Sequence, residues 1–143
     1  MAVLIIILIG ITGGIAISIQ SPLASMISQR LGVLESVFIV HLGGVIVALV
    51  PLLIFGSRLS QWRSLPWYTF GAGAFGLVVI FAMSYMIPRV GVAPALILLL
   101  AGQLLMGSIV DHFGWLGAVQ RPIELTRVLG LSVVLAGVWL TVR

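Results

Sequence analysis

The chain has no cysteine and no lysine, and only three acidic residues. Without cysteine there are no disulfides, no thiol catalysis and no cysteine-based metal site. Two histidines, His41 and His112, stand far apart in sequence with little carboxylate between them. That is a poor donor set for a metal, and neither a metal nor a cofactor is expected. No phosphate-binding glycine loop, nucleophile elbow, His-Glu-x-x-His run or calcium loop occurs, so ATP-driven work by this chain alone is excluded, and no enzymatic activity is expected. Charged residues make up 7% of 143, against roughly 25% in an ordinary soluble domain. Too few charges are present to clothe a water-soluble surface. A soluble enzyme, a nucleic-acid-binding domain and a disordered chain fall away together. Hydrophobic residues supply 62% and mean hydropathy is +1.34. The expectation is an all-α integral membrane protein, a single membrane domain over residues 1–143 whose main partner is the lipid bilayer.

About 20 apolar residues cross the hydrocarbon core as a helix. Five such spans are predicted, over residues 2–27, 36–55, 66–87, 92–110 and 126–141. The first does not read as a cleaved signal peptide. No basic residue precedes Arg30, and its apolar run outlasts a signal core. Pro22 is expected to bend it. The connections are short, with Pro88-Arg89-Val90-Gly91 read as a tight break and Phe113 to Glu124 as the longest link.

All seven basic residues are arginines, scattered singly as flanking anchors rather than as a nucleic-acid patch. Alternating the loops places Arg58, Arg63, Arg121 and Arg127 on one side and Arg30, Arg89 and Arg143 on the other. Four against three is almost no bias for the positive-inside rule to act on. A chain that inserts both ways can pair with an inverted copy of itself. Such an antiparallel homodimer supplies the inverted repeat that many transporters encode in one chain. Trp62, Trp67, Trp115 and Trp139 fall at interfacial belt positions. Gly10 and Gly14, Gly43 and Gly44, Gly71, Gly73 and Gly76, and Gly130, Ala136 and Gly137 punctuate the spans, as close helix packing in lipid requires.

Polar residues within the spans mark the candidate site. Gln103 lies near the middle of the fourth span, where it either bonds a neighbouring helix or lines a substrate site. Asp111 and His112 close that span. A negative charge at a helix C-terminus is disfavoured, so Arg121 or Arg127 should compensate Asp111. An anchoring ion pair and a protonation site for coupling or gating both remain open for it. His112 belongs to the residue type that changes charge near neutral pH. Gln20 follows Gly13 by seven residues and shares its helix face. His41, Ser84 and Tyr85 complete the candidate substrate contacts, His41 either bonding a neighbouring helix or facing a cavity. Neutral or zwitterionic substrates fit better than bare cations, because no acid sits at the midplane.

Several stretches together resemble a known family. They are Gly14 through Gln20 to Leu31-Gly32, Pro88-Arg89-Val90-Gly91-Val92-Ala93, Ala101-Gly102-Gln103-Leu104 continuing to Asp111-His112-Phe113-Gly114, and Arg127-Val128-Leu129-Gly130 with Ala136-Gly137-Val138. The sequence is similar to the YdcZ-type family of small bacterial inner-membrane proteins, part of the drug/metabolite transporter superfamily. The resemblance implies five helices, function as a pair and secondary transport, often export, in the bacterial inner membrane. One departure is chemical. The related small multidrug resistance proteins carry a membrane-embedded Glu in the first helix, where this chain offers Gln20.

The function expected is secondary transport of a small molecule by alternating access at a dimer interface. A passive channel for small ions or solutes would instead give electrodiffusive flux, and a non-transporting adaptor would lose partner binding rather than flux on mutation. The arginine count makes a prediction of its own. The chain's lack of cysteine allows single cysteines to be placed in each loop and labelled from either side. Both orientations are expected, and adding two lysines between Phe113 and Glu124 should lock that loop inside. One-sided labelling of the unaltered chain defeats dual orientation.

Overall fold

The computed structural model describes residues 2–56 and 58–142. Ser57 in the second connection and Arg143 among the counted arginines lie outside the described residues. Five α-helices follow one another: α1 Ala2–Leu31, α2 Val33–Phe55, α3 Ala72–Val90, α4 Val92–Phe113 and α5 Leu125–Val142. Short 3₁₀ turns occupy Leu59–Ser64, Trp67–Gly71 and Trp115–Gly117, and no strand occurs among the described residues. Four segments are long and apolar enough to cross a membrane: Val3–Leu31, Val33–Phe55, Trp67–Val90 and Val92–Phe113. The apolar stretch Leu125–Thr141 is shorter. The 18 residues of α5 extend about 27 Å, slightly less than a hydrocarbon core of about 30 Å.

The helices outrun the apolar runs that predict them. α1 continues through Pro22 and past Ile27 to Leu31, α2 begins three residues before Ser36, and α4 reaches Phe113. Hydropathy marks where side chains leave the hydrocarbon, whereas the backbone keeps bonding to itself beyond that point. The third span differs more. Its first turn is 3₁₀, over Trp67–Gly71. At its other end Pro88 lies inside α3, and the chain breaks only at Gly91. Gly32 and Gly91 adopt φ 117° and 88° with ψ 162° and 171°, a region essentially confined to glycine. Each carbonyl then accepts the first bond of the next helix, from Ser36 N and Ala95 N respectively.

The chain divides into two compact units, Met1–Pro88 and Arg89–Arg143. In the first, residues 3–20 and 41–56 are exposed throughout, which suits apolar helices bathed in lipid. Packing concentrates at the opposite halves. Ser21, Ala24 and Ser25 of α1, Ser36 of α2 and Ile80, Met83 and Ser84 of α3 are buried. Small hydroxylated residues let the helices approach closely and then bond across the gap. Ser36 Oγ donates to the Ala24 carbonyl at 2.8 Å.

Pro88 explains the link from α1 to α3. Having no N–H, it leaves the Ser84 carbonyl, four residues earlier, without its helical donor. Gln29 Nε2 fills that place at 2.9 Å, and Ser84 Oγ donates to Ser28 Oγ at 2.8 Å. α2 meets α3 through His41, whose ring lies where a Cβ on Gly76 would be, 2.7 Å from Cε1 and Nε2. Its Nδ1 is 2.7 Å from the Val37 carbonyl. A carbonyl only accepts, so Nδ1 carries the proton there.

Two outcomes follow for unfolding of the purified chain in detergent. Gln29→Leu strands the Ser84 carbonyl and should cost about 1–3 kcal/mol. Pro88→Ala restores an N–H to that carbonyl, so in its background Gln29→Leu should cost much less; equal costs in both backgrounds would remove the link. Gly32→Ala, strained in backbone and set against the Glu35 carboxylate, should cost about 1–3 kcal/mol.

Candidate functional site

In the second unit α4 packs along α5. Glycines on both helices leave room between them: a Cβ added at Gly107 or Gly130 would meet nothing within 4 Å. The result is an open groove of about 480 Å³, within the size range of small-molecule sites. Gln103, Leu104, Gly107, Ser108 and Asp111 line it from α4, and Arg127, Gly130, Leu131 and Val134 from α5. Residues 103, 107 and 111 form one i, i+4 row, and 127, 130, 131 and 134 form the facing stripe. From Gln103 to Asp111 the groove extends about 12 Å along the axis.

The groove is apolar in its middle and polar at both ends. Ser108 Oγ donates to its own helix at Leu104 O, 2.8 Å away. Thr12, Ser18, Ser132 and Thr141 likewise bond the carbonyl four residues back, which satisfies them without a second helix. Gln103 has no such option. Its side-chain amide makes no hydrogen bond among the described residues, although it can donate two and accept two. At the other end Arg127 Nη1 meets Asp111 Oδ2 at 3.4 Å. Of the two arginines open to Asp111 from sequence, Arg127 makes the pair. Arg121 instead gives its backbone N–H to the Asp111 carbonyl at 2.8 Å.

His112 is committed to the α4–α5 connection. The backbone N–H of Ile123 donates to its Nδ1 at 3.1 Å, and Gln120 Nε2 donates to its carbonyl at 3.2 Å. Its ring is absent from the groove lining. With Gly114 capping α4 in a left-handed conformation, these bonds fold the connection back onto the helix end and set where α5 begins, with Arg127 in its first turn.

The other predicted residues belong to the first unit. Ser84 is buried and bonded to α1, as described above. His41 is exposed and bonded to its own helix, with its ring against Gly76. Gln20 and Tyr85 are exposed, and the Gln20 amide makes no hydrogen bond among the described residues. Gln103 and Asp111 thus come together in one groove. Gln20, His41, Ser84 and Tyr85 form a separate set, in which Ser84 is tied to α1 by hydrogen bonds. Sequence reasoning named Arg127 only as a counter-ion and missed Gln29 and Ser108. The signal for Gln29 was Pro88 at the end of a span, since a proline in a membrane helix demands a donor from elsewhere.

Comparisons with curated proteins and with solved structures gave no match. A family comparison did. Residues 5–140 match the family described as "Putative inner membrane exporter, YdcZ". The match runs through the first-unit helices and the whole α4–α5 groove. Together with four apolar helices of membrane-spanning length, it makes this a multi-pass inner-membrane protein that belongs to the YdcZ family of membrane exporters.

Proposed function

We propose that the chain is a secondary-active exporter of a small molecule, working as an antiparallel homodimer of five-span subunits by alternating access, with substrate held in the α4–α5 groove. The observation that carries this reading is the unpartnered Gln103 amide in a groove closed at its other end by Asp111 and Arg127. A polar group in a membrane helix that finds no partner among the described residues is suited to meet a ligand or a second subunit. Gln103 is assigned to substrate and Asp111 to gating or coupling. Gln20, His41 and Tyr85 are proposed to face the transport path from the inverted partner, while Ser84 is held within the first unit by Ser28 and Gln29.

Pairing is supported by the bare glycine faces. Added Cβ atoms at Gly10, Gly13, Gly14, Gly43, Gly44 and Gly137 meet nothing within 4 Å, leaving backbone open to close approach by another helix. A second chain would fill the inverted-repeat role of larger transporters.

Vesicles holding the purified chain and a mixed pool of small metabolites test the transport class. Saturable efflux, accelerated when the same solute is present outside, is expected. Efflux that rises linearly with concentration would mean a channel, and no efflux would leave an adaptor. Gln103→Leu should weaken solute affinity about three- to tenfold, the value of one neutral hydrogen bond. Asp111→Asn should abolish acceleration by an imposed proton gradient, since Asn cannot carry a proton on and off. If Asp111→Asn misfolds and an Arg127 substitution rescues it, Asp111 is an anchor only. Gly137→Leu should shift crosslinked material from dimer to monomer; an undiminished dimer relocates the interface away from α5.

A further inference from the structure

Arginine offers five N–H donors in a rigid fork. Both side-chain bonds of Arg127 leave from Nη1, to Asp111 Oδ2 at 3.4 Å and to the Arg121 carbonyl at 3.5 Å. Its Nε and Nη2 make none among the described residues, and Asp111 Oδ1 accepts none there. A full arginine–carboxylate pair is two-pronged and closes to about 2.7–2.9 Å. This one is single-pronged and long, with the side chains 31% and 39% exposed at the groove. Two prongs of the guanidinium and one carboxylate oxygen are therefore left over at the same place.

Charge nearby is balanced. Arg121 and Glu124 line the adjoining hollow beside Arg127, so two positive and two negative side chains gather at this end. A ligand bearing only a negative charge would be pressed against Asp111. One bearing only a positive charge would be pressed against Arg127. A ligand with both charges meets each with its opposite.

We infer that the Asp111–Arg127 pair is the head-group site for a zwitterion with its carboxylate and ammonium on one carbon, an α-amino acid with an uncharged side chain. This rests on the transport reading above and names its substrate class. The ligand carboxylate takes the donors of Arg127 Nε and Nη2, and its ammonium donates to Asp111 Oδ1. Because Asp111 and Arg127 are themselves in contact, the two ligand charges must also be close, which selects the α arrangement over one with the charges far apart. The ligand's side chain then follows the wall of Leu104, Leu131 and Val134, over the open space at Gly107 and Gly130, toward the free Gln103 amide. Arg127 becomes a substrate-binding residue rather than a counter-ion alone.

The test uses the full-length chain in detergent and reads thermal stabilisation. The probes are L-leucine, L-methionine, L-phenylalanine and L-threonine, each beside its amide, which lacks the carboxylate, and its deaminated acid, which lacks the ammonium. At least one amino acid should stabilise the chain, with its amide and its acid about tenfold or more weaker, the value of a lost charge-assisted bond. The double variant Asp111→Asn with Arg127→Gln keeps a neutral hydrogen-bonding pair. It should retain the helical circular dichroism and lose the response. The assignment is overturned if no amino acid acts, if the acid or the amide matches its parent, or if the folded double variant still responds. Vesicle flux separates the two readings. Saturable export of some other solute with no amino-acid binding removes this inference and leaves transport. Amino-acid binding with no flux of any solute removes transport and leaves the site.

Discussion

Hydrocarbon offers no hydrogen bonds, so every backbone group within it must find a partner in protein. That demand organises the first unit around the Ser84 carbonyl. Pro88 withdraws the donor that α3 would ordinarily supply, and Gln29 of α1 provides another at 2.9 Å. The hydroxyls of Ser28 and Ser84 meet beside it, and Ser36 ties α2 to the same stretch of α1. The buried part of this unit is consequently small and hydroxylated rather than large and apolar, with Met83 the one fully buried bulky side chain among the described residues. Bulk would add little, because lipid tails are as apolar as any leucine. Hydrogen bonds and close approach are what distinguish a neighbouring helix from lipid.

The second unit solves a different problem. It must hold two helices far enough apart to leave a groove and still fix their relative position. Glycines at 107 and 130 keep the middle open. The connection does the fixing, through Arg121 N on the Asp111 carbonyl, Ile123 N on His112 and Gln120 on the His112 carbonyl. All three bonds land on the last turn of α4. Across the groove's end the ion pair among the described residues is the long Asp111–Arg127 contact, and none of the three bonds of the connection runs through it.

Much of this was legible in the sequence because lipid simplifies the reading. Apolar runs of 20 residues have few alternatives to a helix, and helical periodicity puts Gln103 and Asp111 on one side of α4 whatever packs there. The need to compensate Asp111 pointed to two arginines, and only the fold of the Phe113–Glu124 connection chooses between them. Other features turn on contacts that hydropathy does not encode. Pro88 reads as a break, yet it is held within α3 by a glutamine some sixty residues earlier in sequence. His112 reads as a companion of Asp111 in coupling or gating, whereas its Nδ1 accepts a backbone N–H from the connection. His41 left a bond and a cavity equally open, and what it meets is a bare glycine backbone on α3.

The gap at Pro88 also has a temporal side. Chains are made from the N-terminus, so the Gln29 amide is already in the membrane when the third helix arrives with its carbonyl uncovered. The later helix carries the deficit and the earlier one the remedy. Were the order reversed, an open carbonyl would wait in lipid for its donor. As it stands, the proline serves as an address, directing α3 to α1 at a defined depth, and the order of synthesis has placed the recipient there beforehand.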